Sequence, residues 1–242
     1  MTQAVSTLPA GHIELRTPGM TKMQEMARRM WLPMFLMGAM VLIASLVIGA
    51  VQSGLSTDLF EVTKTTREVN PSGSLLDKQQ FIETTSIWLP RFQLLGMGLM
   101  FGGITFLLAT ILGNLRLYGG LVQEKSGRKV LALKPPWSAQ AFPMLMMTGL
   151  IILIATLVIS IVIAVIGGDV FDKPIATIDA APAGSGLLDD LQTVKTYGAW
   201  LQAAAITGLG IVLSGIVLAL YTIAQVLRFQ HTRIAELARG VE

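Results

Sequence analysis

The sequence predicts an all-α integral membrane protein of four transmembrane helices, arranged as a tandem duplication of a two-helix unit with the repeats parallel. Three observations carry this: four long apolar segments, an alternating distribution of basic residues between them, and an internal repeat. The 242 residues are 52% hydrophobic and 14% charged, with a mean hydropathy of +0.64. A soluble domain carries about 25% charged residues, so composition argues against a soluble enzyme and against a disordered chain. With no cysteine and only His12 and His231, thiolate metal centres, disulfides and multi-imidazole sites are excluded.

A bilayer core about 30 Å thick needs about 20 apolar residues in a helix. The spans are read as 31–51, 92–115, 142–166 and 200–227, none containing an ionisable residue. Arg91 sits at the edge of the second, where a long side chain is expected to snorkel to the interface. The first thirty residues are polar and the first apolar run is too long for a cleaved signal, so it is read as a retained span. The resulting organisation has a leader 1–30 with the start of an interfacial helix and a first two-helix repeat 31–124 with outer loop 53–87. A linker 125–136, a second repeat 137–230 with outer loop 168–196, and a tail 231–242 follow.

Loop charge sets the expected orientation. Four Lys/Arg precede the first span, five (Arg116, Lys125, Arg128, Lys129, Lys134) lie between the second and third, and three follow the fourth; the other two loops hold three and two. Basic residues favour the cytoplasmic side. Both termini are therefore expected to be cytoplasmic, in a membrane best matched by the bacterial inner membrane. Trp31, Trp88, Trp137 and Trp200 fall at span ends, where an aromatic belt anchors helices. The net charge of +3 is then topology rather than a nucleic-acid footprint, for which no basic stripe with interleaved aromatics is present.

The repeat is direct. Residues 38–48, GAMVLIASLVI, recur as GLIILIATLVI at 149–159, an offset of 111. At an offset of 112, Leu75-Leu76-Asp77 recurs as Leu187-Leu188-Asp189, Trp88-Leu89 as Trp200-Leu201, and Gly96, Gly98 and Gly103 as Gly208, Gly210 and Gly215. Each half has an even number of spans, so the copies share one orientation, as in parallel-repeat membrane proteins.

Ser45-xxx-Gly49, Gly98-xxx-Gly102, Thr156-xxx-Ser160 and Gly210-xxx-Ser214 place small residues one turn apart, a pattern that lets helix backbones approach in lipid. Met23, Met26, Met30, Met34, Met37 and Met40 fall within about 120° of one helix face. They read as an adaptable packing surface, with a Cu(I) relay through soft thioethers as the sharper alternative. Thr21 and Gln24 match a capping box opening a helix near Lys22, and Pro33 is expected to kink it. In the outer segments, Ser74 and Gly186 precede Leu-Leu-Asp and are expected to start helices that run into the next span. The adjacent Asp189 and Asp190 read as solvated carboxylates at such a start.

No ionisable residue marks a proton or ion path inside the spans, and no nucleophile–base pair, phosphate loop or metal motif is present. The chain is expected to be non-catalytic, without a resident cofactor or metal; an apolar groove leaves room for bound lipid or another apolar ligand. The leading expectation is a subunit that packs within a larger membrane complex, with hetero-partners preferred over a homo-oligomer. The competing classes are a carrier for a small neutral or hydrophobic solute with its site at the repeat interface, and an accessory component of a redox or copper enzyme.

Overall fold

The structure, a computed structural model, describes residues 12–14, 21–69, 71–127 and 130–239. Most of the leader, including Arg16 and the side chain of His12, lies outside the described residues, as do Arg128, Lys129 and the last three residues of the tail. The element order is β1 (His12–Glu14), α1 (Lys22–Glu61), α2 (Lys64–Glu68), α3 (Gly73–Lys125), β2 (Leu131–Leu133), α4 (Trp137–Phe171), α5 (Ile175–Asp179) and α6 (Gly186–Ala238). Four of these, α1, α3, α4 and α6, are long and apolar enough to cross a membrane.

The helices run well past their apolar cores. At 1.5 Å per residue the 53-residue α3 and α6 are each about 80 Å long. The Ser72 carbonyl accepts the Leu75 and Leu76 amides, and the Ser185 carbonyl accepts those of Leu188 and Asp189. These bonds open α3 and α6 just before Leu-Leu-Asp, as expected. The capping box at the start of α1 forms in both directions: Thr21 N–H donates to Gln24 Oε1 at 2.9 Å and Gln24 N–H donates to Thr21 Oγ1 at 3.3 Å. Helix α1 continues through Pro33. After α3 the chain turns at Gly127, whose φ of +67° favours glycine, and β2 then pairs antiparallel with β1, His12 opposite Leu133.

The chain packs as two units. The described residues within 1–36, 100–148 and 211–242 form the first, and those within 37–99 and 149–210 the second. In the first, α1 and α3 run antiparallel, with Gly103 against the backbone of Phe35 and Gly113 against Gln24. The α4 and α6 segments do the same, with Gly215 against Phe142 and Met146 and Ser138 Oγ 2.8 Å from Thr222 Oγ1. Ala27, Ala109, Phe142 and Ala219 form the core there; the alanines keep the backbones close. The Gln123 amide brackets Leu131, donating to its carbonyl and accepting its N–H, both at 2.9 Å, and so holds β2 against α3.

In the second unit Gly96 packs on Val41 and Leu42, Gly208 on Ile152 and the Gly149 carbonyl, and Gly98 on Leu150 and Leu153. Its core is Ile87, Ile163, Ala164, Val194 and Leu201, with Trp88, Ile166 and Phe171 packed against it.

Candidate functional site

The second unit contains a cavity of about 560 Å³ between α3, α5, α6 and the end of α4. Its walls include Ile87, Phe171, Ile178 and Val194, and its polar groups include Glu83, Arg91, Asp179 and Lys195. Glu83 and Lys195 are 112 positions apart, the offset of the repeat, as are Ser86 and Gly198, and all four line this space. Glu83 precedes the second span. Loss of water beside the apolar walls pushes its carboxyl above the usual carboxylate range, and the Lys195 ammonium partly opposes this.

Arg91 is placed differently from the sequence expectation. It is only 6% exposed, so it does not snorkel outward. Its guanidinium donates to the Ile87 carbonyl at 2.7 Å and to the Gly198 carbonyl, joining α3 to α6, while its Nε is buried without a partner. A cation in this position spans two helices with charge-assisted hydrogen bonds, which are stronger than neutral ones.

The small-residue positions divide. Ser45, Thr156 and Ser160 are buried, as are Gly98 and Gly102, whereas Gly210 and Ser214 are exposed. The hydroxyls of Ser45 and Thr156, 111 positions apart, turn back on their own helices, donating to the carbonyls of Leu42 and Leu153 at 2.8 and 2.9 Å. Gly49 is half-buried and approaches Leu89. A Cβ at Gly98 would collide with a Leu153 methyl, whereas one at Gly210 would meet no atom within 4 Å.

Of the methionine stripe, Met34 is buried, while Met23, Met26, Met30, Met37 and Met40 are exposed. The stripe is therefore an open apolar face with one edge turned inward. Trp137 and Trp200 are exposed and Trp31 is half-buried. Trp88 packs on the core and meets Phe92 edge-on at 5.7 Å. Asp189 in the first turn of α6 and Asp190 just after it are exposed, and His231 is exposed near the end of the helix. Among the described residues no three His, Cys, Asp or Glu side chains gather at one point.

A second, smaller cavity of about 170 Å³ lies in the first unit, walled by the start of α1, the ends of α3 and α6, the start of α4, and β2. Sequence reasoning found neither cavity. Each joins residues about a hundred positions apart, and no local spacing encodes such a meeting. No known family, curated protein or solved structure matches the chain.

Proposed function

We propose that the protein is a non-catalytic subunit of a larger membrane complex, with both termini on the cytoplasmic side of a bacterial inner membrane. The observation that carries this reading is the poor burial of α1. Its most apolar stretch is 11% buried, against 39, 33 and 28% for α3, α4 and α6. In each unit α1 packs antiparallel on α3, and much of its remaining surface, including five of the six stripe methionines, stays open. Without a hydrophobic drive in lipid, helices associate by close packing and hydrogen bonds, and flexible thioethers conform to an irregular neighbour. Lipid and a partner helix are the two surroundings such a face accepts; the reading places a partner there.

The same proposal takes the chain as one two-helix unit used twice. Gly96 and Gly208 are 112 apart and meet Val41 and Ile152, which are 111 apart. Gly103 and Gly215 meet Phe35 and Met146, again 111 apart. Equivalent glycines thus admit equivalent neighbours, which supports a duplicated hairpin.

Gentle extraction of the native protein followed by native mass spectrometry tests the subunit reading. Stoichiometric heterologous subunits are expected; a lone chain or a pure homo-oligomer overturns it. The cavity lined by Glu83 and Lys195 favours a second reading, a carrier whose site lies where the two repeats meet. Solute flux into liposomes, abolished by filling that cavity, would establish it.

A further inference from the structure

The smaller cavity has an electrostatic character the larger one lacks. Among its described lining residues Arg116 is the one ionisable group, and none of them is a carboxylate. Its Nε is buried without a hydrogen-bond partner. The rest of the wall is largely apolar, with Ala109, Leu112, Phe142, Val226 and Phe229 facing the same space. A cation whose Nε lacks a partner, beside apolar walls, fits an anion that carries an apolar body.

Depth points the same way. Arg116 immediately follows the apolar span 92–115, and Val226 is next to the last residue of the span 200–227. The cavity therefore sits where a hydrocarbon core meets headgroups, with the guanidinium at headgroup level. A cavity of about 150 Å³ accepts a benzene-sized group, so the 170 Å³ here receives the first several carbons of a ligand and leaves a longer chain to extend into lipid. The repeat supplies an internal control: Arg228, equivalent to Arg116 at an offset of 112, is exposed and is not among the residues lining the cavity.

We infer that this cavity binds an anionic amphiphile, its phosphate or carboxylate on Arg116 and its proximal apolar segment against Phe142 and Leu112. The chemistry is shared by acidic membrane lipids and by soluble apolar carboxylates, and the test separates them. The purified full chain in detergent is titrated with dioleoyl phosphatidylglycerol, with dioleoyl phosphatidylcholine and with benzoate, followed by native mass spectrometry and thermal unfolding. One phosphatidylglycerol should bind in preference to phosphatidylcholine. Arg116→Gln should weaken that binding about tenfold or more, the effect of losing charge-assisted bonds, and Arg228→Gln should leave it unchanged. Ala139→Leu, which fills the cavity and keeps the charge, should also lose the ligand. It carries the test if Arg116→Gln fails to fold. Benzoate raising the unfolding temperature of the wild type but not of Arg116→Gln, without a lipid preference, supports the same site with a soluble ligand. The inference is overturned if neither probe binds in an Arg116-dependent way, or if Arg228→Gln loses as much as Arg116→Gln.

Discussion

Single residues decide where the helices approach. A Cβ at Gly103 would lie 2.8 Å from the backbone nitrogen of Phe35, whereas at Gly210 it would meet nothing within 4 Å. Backbone cannot yield as a flexible side chain can, so Gly103→Leu should overpack the α1–α3 contact at a cost of about 1–3 kcal/mol. Gly210→Leu should leave thermal unfolding within about 0.5 kcal/mol of wild type. Equal losses at both positions would mean that helix spacing is not set by these contacts. Glu83 offers a titration of known sign. Its carboxyl holds a proton to higher pH than in the unfolded chain, because burial outweighs Lys195. Its stabilising contribution is thus fully present below the unfolded value and is lost as pH rises through the folded one. Arg91 and Asp179 face the same space. Glu83→Gln should flatten that fall in thermal stability from acid to neutral pH, and an unchanged profile would show that Glu83 titrates as if in water. Arg91 shows the limit of sequence at this scale. Its place at a span edge is plain, but snorkelling and inward capture are both open to a long cation. The nearby Gly198 carbonyl, 107 positions away, makes the difference.

At the scale of elements, the spans were legible because lipid leaves the backbone one way to satisfy itself in a single segment, and that helix must be apolar for its whole crossing. The start of α1 was legible because Thr21 and Gln24 form a local motif, and the starts of α3 and α6 because Gly/Ser/Pro runs precede Leu-Leu-Asp. The continuation of α3 and α6 past their spans, to Lys125 and Ala238, was not, since those polar ends carry no apolar stripe that distinguishes helix from loop. The β1–β2 pair was not, because three residues are too few for a period and the partners lie far apart in sequence. The cap gives a prediction proper to this scale. Thr21→Ala removes the acceptor for Gln24 N–H and should cost about 1 kcal/mol of local stability. Amide exchange should speed up several-fold at Met23–Met26 and stay unchanged in α4. Acceleration throughout the chain would instead mean that the cap holds the first unit together.

For the whole molecule, the question that fixes every other assignment is which ends face the cytoplasm. The basic residues of the leader, the linker and the tail are expected to keep these segments on one side, with the net-acidic outer loops 53–87 and 168–196 on the other. The absence of cysteine makes the test clean, because each introduced thiol is the sole target. Ser72, Ser126 and Ala183 are exposed and lie in three successive connections between the long helices. In intact cells a membrane-impermeant maleimide should label Ser72→Cys and Ala183→Cys, and should reach Ser126→Cys only after permeabilisation. The inverse pattern would reverse the orientation. Labelling of Ser72→Cys but not Ala183→Cys in intact cells would contradict the parallel repeat itself. Two copies of a hairpin with an even number of crossings must expose their tips on the same face.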